Sequence, residues 1–436
     1  RRWELADSAL VGYAMYFDLQ DATNHRELAM WKIKPHLPPA LYALLARDGT
    51  RWDAPLTGAA RGDAVLPTPE EVDLRKLPAP PGKRHGVAAD DIVPGSNNFA
   101  VAGAVGKDGR AIVANDMHLG LGVPNIWFRA RLRYADARAP DGKVDITGFT
   151  LPGLPAVVVG SNTRVAWAFT NSYVDTSDWR IHTRCGGPAT DASVCVNPVS
   201  HAEIIRVAGG APVEFEVEET EWGPVLHRDG DKLFALRWNA HAKGALGFGL
   251  TDFPTARDLD HAITLADRSA MPAQNLLIGD ASGRIAWRVI GPLAQRTTGC
   301  DPALPGTDTE QAAACTPWAV ATDRSPNLID PADHRLWSAN NRTTDSDALR
   351  QLGDGGYAFG ARARQIRDGL LARDTFSERD LLALQLDDRA LFLGEWHALL
   401  QDAGKRAKSP ALAELAIASK QWEGRASIDS VSYRIV

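Results

Sequence analysis

The sequence predicts an α+β fold in which two β-sheets stack face to face and helices pack outside them. Three observations point there. Helical spacing of apolar residues fills the first 48 residues. Short β-prone runs, bounded by Gly, Asn, Asp or Pro, follow one another after Ser96. Helical patterns then return in the last third of the chain.

In the first segment the apolar residues Ala9, Leu10, Ala14 and Met15 recur at helical spacing. Leu28, Ala29, Met30 and Trp31 form a second stretch, and residues 40–45 a third beyond Pro35, Pro38 and Pro39. Composition shifts at residue 56. Residues 56–95 hold Pro67, Pro69, Pro78, Pro80, Pro81 and Pro94 among Gly and charged residues, with no sustained period, and read as a partly disordered linker. Strands are expected from Ser96 and at 111–114, 144–147, 156–159, 165–170, 204–207, 213–217, 233–238, 275–278 and 285–289. The turn Asp280-Ala281-Ser282-Gly283 makes the last two a hairpin. Helices are expected at 256–266, 360–372 and 377–401, the last opened by Ser377 with Asp380 as a capping box.

The chemistry is sought in nucleophile, base and oxyanion donors. Ser161 lacks the second glycine of a Gly-x-Ser-x-Gly elbow, and no His-Glu-x-x-His occurs. No phosphate-binding glycine loop opens a helix after a strand. Ser96 remains, in Val93-Pro94-Gly95-Ser96-Asn97-Asn98-Phe99-Ala100-Val101. Gly-Ser alone is common and reads as a turn before a strand. Here it ends a linker and opens a strand, where cleavage would put hydroxyl and free amine on one residue. Such an amine, with an ordinary pKa near 7.7–8.0, can act as base for its own hydroxyl.

This segment, with Ala111-Ile112-Val113-Ala114-Asn115-Asp116-Met117-His118-Leu119-Gly120 after it, resembles the start of the β chain of the penicillin acylase family. That family of N-terminal-nucleophile amidohydrolases includes cephalosporin and acyl-homoserine lactone acylases. Similar motifs run from about Asp18 to Asn341. The resemblance implies a four-layer αββα fold and a longer protein, of which this chain is an internal piece. Residues 1–55 would end an α chain, 56–95 be the spacer removed or nicked in maturation, and 96–436 begin the β chain. The two chains would form a heterodimer. It further implies that His118 orients the Ser96 amine, partly by its backbone, and that Asn171 donates its N–H to the oxyanion. Asn275 would add its side-chain amide, braced by Arg296. Asn115 and Asp116 read as turn formers.

A structural calcium is implied at Glu27, Asp175 and Asp178, three carboxylates suited to a hard cation, with turn or capping roles as the alternative. No cofactor is implied for catalysis. Phe17, Leu119, Leu151, Leu154 and Val159 fall near the acyl pocket, although each alone suits a core. The expected substrate is a small N-acyl amide, either a β-lactam or an acyl-homoserine lactone. A non-catalytic envelope binding protein and a purely structural secreted domain are the rival readings. Against both stand Ser96, His118 and Asn275 together.

Composition narrows partners and compartment. The net charge is −6, with Lys and Arg scattered, so no nucleic-acid surface is expected. No apolar run reaches the roughly 18–20 residues of a membrane span. The cysteine pairs 185/195 and 300/315 each flank a short polar loop. They read as two disulfides of an oxidising compartment, here the periplasm, against the alternative of free buried thiols. Neither pair has the Cys-x-x-Cys spacing that favours zinc.

Overall fold

A computed structural model describes residues 2–76, 95–120, 122–186, 195–297, 299–307, 315–406 and 408–436. The chain divides into two units, Arg1–Ala363 and Arg364–Val436.

Three helices open the first unit: α1 (Leu5–Leu19), α2 (His25–Ile33) and α3 (Pro39–Leu45). The Glu4 N–H donates to Asp7 at 2.8 Å, closing a capping box at the start of α1. Asn24 caps α2 from the left-handed region at φ 40°, which a short amide side chain tolerates. Pro39 opens α3, where its missing N–H costs nothing. On α1, Ser8, Gly12, Met15 and Leu19 lie one turn apart and share a face. At Gly12 the helix packs closely on Leu246, whose terminal methyl would lie 2.7 Å from a Cβ there.

After the linker, β1 (Gly95–Val101) pairs antiparallel with β2 (Ile112–His118) on one side and with the strand Arg335–Ser338 on the other. The larger sheet has seven strands. β3 (Phe128–Ala135), β4 (Lys143–Thr150), β5 (Val157–Ser161) and β6 (Val165–Asn171) form one part. A separate four-stranded sheet holds β7 (Ser177–Thr183), β10 (Val225–Asp229), β11 (Lys232–Trp238) and the short strand Gly306–Thr307, while β8 (Val199–Ile205) and β9 (Val213–Glu219) form a hairpin of their own. β12 (Gln274–Asp280) and β13 (Ile285–Ile290) complete the larger sheet beside β6, with Asn327–Ile329 at its edge. The 280–283 turn is the expected hairpin, with Gly283 at φ 96°.

Alternation along β12 and β13 separates two cores. Leu276, Ile278, Ala286 and Ile290 pack with Leu259, Ala262, Leu265 and Ala266 of α4 (Leu259–Ala266). Leu277, Ile285, Trp287 and Val289 pack with Ala100 and Leu336 of the three-stranded sheet. The predicted stacking of sheets with a helix outside is therefore formed. Asparagines stitch the stack. Asn98 Nδ2 donates to the carbonyls of Ala168 and Asn275 at 3.2 and 3.1 Å, and Asn115 Nδ2 donates to Phe169 at 2.9 Å. Asn115 and Asp116 thus lie within β2 and are not turn residues.

The linker expected from residue 56 begins with ordered chain. Leu56 N–H donates to Thr343 at 2.8 Å and Arg342 holds the Ala59 carbonyl at 2.8 Å. The Pro-rich residues 77–94 lie outside the described residues. Strands β3, β7 and β10 and the strands Asn327–Ile329 and Arg335–Ser338 lie outside the expected runs; β3 is an exposed edge strand with Arg129, Arg131 and Arg133 on it, so it carries little apolar signal. Both disulfides, Cys185–Cys195 and Cys300–Cys315, are formed.

In the first unit, α5 (Ser346–Leu352) follows the strand Arg335–Ser338, and α6 (Ala361–Leu371) opens at Ala361. The second unit is helical. The single helix expected at 377–401 is two, α7 (Glu378–Gln385) and α8 (Leu393–Arg406). Asp387 breaks it by accepting the Arg389 N–H at 3.2 Å, and Ala390 N–H turns outward to Gly424 at 2.8 Å. The Ser377–Asp380 capping box is present.

Candidate active site

Ser96 is the second residue of β1 and only 5 % exposed. Its Oγ accepts two hydrogen bonds, from the Asn171 backbone N–H and from Asn340 Nδ2, each at 3.2 Å. Asn340 also accepts the Ser96 N–H on Oδ1 at 2.7 Å, so one amide spans the nitrogen and the hydroxyl of the same residue. Its Nδ2 further donates to the Asn171 carbonyl at 2.9 Å. Arg362 closes the group. Nη1 reaches the Ser96 carbonyl at 3.0 Å and Asn97 Oδ1 at 2.6 Å, while Nη2 reaches Asn340 Oδ1 at 2.9 Å. Burial lowers the Arg362 pKa from its ordinary value, with Asp116 and Tyr173 opposing.

Local structure explains these positions. Asn171 ends β6, beside β12 and under β1. Asn340 follows the strand that pairs with β1, in the left-handed region at φ 64°, which turns its amide back toward Ser96. Arg362 sits in the first turn of α6. Gly95 has no side chain to obstruct this; a Cβ would lie 3.2 Å from Arg362 Nη2.

Two residues expected beside Ser96 are placed elsewhere. Asn275 shares the face of β12 that carries Leu277, toward the stacked sheet, and its Oδ1 accepts from Trp287 Nε1 at 3.0 Å. Its neighbour Gln274 takes the opposite face and lines the cavity beside Ser96. The period of two along a strand turns the Asn275 side chain away from Ser96, and the side-chain amide beside Ser96 Oγ is that of Asn340. Arg296 likewise does not brace this group. It binds Asp178 through Nε at 2.8 Å and lies 2.8 Å from Asp175 Oδ1 through Nη2. The arginine beside Ser96 and Asn340 is Arg362. His118 pairs in register with Gly95, while its ring turns to Asp116 and lies 3.4 Å from Asn97 Nδ2. Ser338, Asn340, Asn341 and Arg342 form a run of buried polar residues beside a strand. That run, in a sequence where such residues are normally exposed, was the available signal for Asn340.

A cavity of about 110 Å³ opens at Ser96. Leu119, Leu151 and Leu154 line it as expected. Phe17 does not: it is 66 % exposed and packs edge-on against Trp238, because the α1 stripe facing the cavity runs through Ser8, Gly12, Met15 and Leu19. Val158 faces the cavity and Val159 does not, again by strand alternation. Met15, Met117 and Met271 supply three of the four methionines in the chain. Among the described residues Asp18 is the one charged lining residue, and no Lys, Arg or His lines the cavity.

Glu27, Asp175 and Asp178 do not fit a calcium ion. Glu27 accepts the Trp179 N–H at 3.2 Å and holds Asn24, while both aspartates face the Arg296 guanidinium. Among the described residues no group of three or more His, Cys, Asp or Glu is arranged to hold a metal. Burial, then Asp178 and Asp175, pushes the Glu27 carboxyl up to about 10. Burial also raises Asp175, against the pull of Arg296. Among the described residues no helix is long and apolar enough to cross a membrane.

The penicillin amidase family model matches residues 1–436. The chain belongs to the penicillin amidase family. It is 29 % identical to the penicillin acylase 2 proenzyme of Pseudomonas sp. (strain SE83), over 78 % of this chain and 43 % of that protein. It is 25 % identical to the acyl-homoserine lactone acylase QuiP of Pseudomonas aeruginosa, over 72 % of this chain and 38 % of that protein. The chain thus spans less than half the length of these two relatives. A thermostable penicillin G acylase from Alcaligenes faecalis has a similar fold, with a TM-score of 0.61 at 18 % identity, covering 77 % of this chain and 60 % of that one.

Proposed function

We propose that this chain is the catalytic part of a self-processed amidohydrolase that removes neutral, apolar acyl groups from N-acyl amides. The observation that carries the reading is the paired donation to Ser96 Oγ, from Asn171 N–H and Asn340 Nδ2, at the mouth of an apolar cavity.

Maturation would begin with Ser96 Oγ attacking the Gly95 carbonyl. The amide becomes an ester, the Ser96 nitrogen is released as an amine, and water hydrolyses the ester. The Gly95–Ser96 bond then ends as a carboxylate and a free N-terminus. In the mature enzyme that amine takes the Ser96 hydroxyl proton through a water as Oγ attacks the substrate carbonyl. Negative charge on the carbonyl oxygen is met by the two donors that now hold Oγ, whose strength grows as the charge develops. The amine product leaves with the proton, an acyl-enzyme remains, and water releases the acid. Asn340 Oδ1 and Arg362 orient the Ser96 nitrogen throughout.

The lining favours the acyl chain over the amine as the recognised part. Each buried methylene contributes about 0.8 kcal/mol, and methionines adapt to chains of different shape. A terminal carboxylate, as in a glutaryl chain, would meet Asp18 and, among the described residues, no lining cation. Penicillin-type and acyl-homoserine-lactone-type amides share the acyl part this cavity suits. His118 stays in the proposal as a positioning residue acting through Asn97, and the oxidising compartment implied by two disulfides supports a periplasmic protein. The two chains of one precursor would remain together as a heterodimer.

Intact-mass analysis should find two chains, one beginning at Ser96, and Ser96→Ala should stay whole and inactive. On the matured protein, acyl amides of graded length and phenylacetyl amides should be hydrolysed at least tenfold faster than glutaryl amides. A single uncut yet active chain, or a preference for glutaryl, would overturn the reading.

A further inference from the structure

A corner of the first unit holds four carboxyl groups from distant parts of the chain: Glu27 on α2, Asp175 and Asp178 before and within β7, and Asp354 after α5. Like charges gathered in a low-dielectric place need cations. Two arginines supply them. Arg26 pairs with Asp354 at 2.9 Å. Arg296 is only 12 % exposed along its side chain and sits between Asp175 and Asp178, with Nη1 also 3.3 Å from the Asp175 carbonyl.

The placement of Arg296 is built. Ala294 pairs with Val320 and the Gln295 N–H donates to Ala319 at 2.9 Å, forming a short ribbon clamped by Cys300–Cys315. The ribbon lays the guanidinium over the Trp318 ring, 5.5 Å from its centroid, and Trp318 Nε1 donates to the same Asp178 carboxylate. A planar, delocalised cation suits a site with a ring on one side and carboxylates on its edge. Glu27 and Asn24 carry the connection onward to the Trp179 N–H and the Ser177 carbonyl, and so fasten α2 to β7.

We infer that the Arg296 guanidinium is the built-in cation of this corner, doing without a bound metal the work of holding the N-terminal helices to the β7 sheet. The carboxylates are kept in place for an arginine, and removing it exposes an acidic set that a divalent or trivalent cation can enter.

The test uses the full chain and measures three quantities: metal content by mass spectrometry, melting temperature with chelator or with millimolar calcium, and terbium luminescence sensitised by Trp179 and Trp318. For the unaltered protein we expect less than about 0.1 calcium per chain, a Tm indifferent to chelator and calcium, and no terbium signal. Arg296→Ala should lose about 3–6 °C of Tm in chelator. It should recover at least half of that in calcium and bind terbium. Arg296→Lys, which keeps the charge, should fold with a smaller loss and no calcium response. If Arg296→Ala folds only in calcium, that is the same exchange in stronger form. One calcium per unaltered chain overturns the inference. So does an Arg296→Ala protein that keeps its Tm, or that loses it and regains nothing in calcium.

Discussion

Replacing Asn340 by Ala removes one of two equidistant donors to Ser96 Oγ, both at 3.2 Å, and also the 2.7 Å acceptor of the Ser96 N–H. The donor interaction strengthens as the oxyanion forms and hardly exists in the ground state, so its loss falls on kcat more than on KM. Losing one such donor costs roughly 100- to 1,000-fold in kcat, about 3–4 kcal/mol. Arg362 would also lose a partner at 2.9 Å, which places the expected loss at the upper end. Because the same donors would serve maturation, the variant should be prepared with a foreign protease site that leaves Ser96 as the first residue. Turnover of an acyl p-nitroanilide by this matured protein then reports the hydrolytic step alone. Asn275→Ala is the comparison. It removes the acceptor of Trp287 Nε1 within the core and should cost about 1–3 kcal/mol of stability while leaving kcat within a few-fold. A matured, folded Asn340→Ala enzyme with near-normal kcat, or an Asn275→Ala enzyme with the 100-fold loss, would refute this arrangement.

Two further outcomes are expected. A Cβ on Gly247 would meet only the Ala270 Cβ, at 3.6 Å, so Gly247→Leu should fold and shorten the acyl cavity. Displacing about two methylenes of a long chain, at about 0.8 kcal/mol each, should lower kcat/KM about 15-fold for that chain and leave the shortest chain unaffected; equal losses at all lengths would contradict it. Glu27 is raised from 4.5 to about 10, so between those values the folded protein holds a proton that the unfolded chain releases. Stability from this group is full below pH 4.5 and lost as pH rises toward 10, by up to about 1.4 kcal/mol per pH unit. Glu27→Gln should flatten urea stability between pH 5 and 9, and an unchanged slope would sink the assignment.

The proposed nucleophile was legible in the sequence because its evidence is local. A glycine, a serine and a strand pattern after a Pro-rich stretch are neighbours in the chain, as are the 280–283 hairpin and the Ser377–Asp380 cap. The α1 stripe was half legible: helical spacing marked the helix, but which face met the cavity depended on Leu246 and on Trp238, which draws Phe17 away. Asn340 and Arg362 lie 244 and 266 residues from Ser96, and nothing near Ser96 announces either. Asn275 and Asn340 look alike in sequence, each beside an apolar strand. Strand alternation turns one toward a tryptophan in the core, and a left-handed residue at a strand end turns the other onto the serine. Arg296 reads as a solvated strand end until the ribbon and Trp318 fold it between two aspartates. Local spacing thus determined which residue is proposed to react and the elements that carry it. Which distant amide and which cation surround each charged group was decided only by how the sheets stack, since pairing across a stack is set by three-dimensional register and not by distance along the chain.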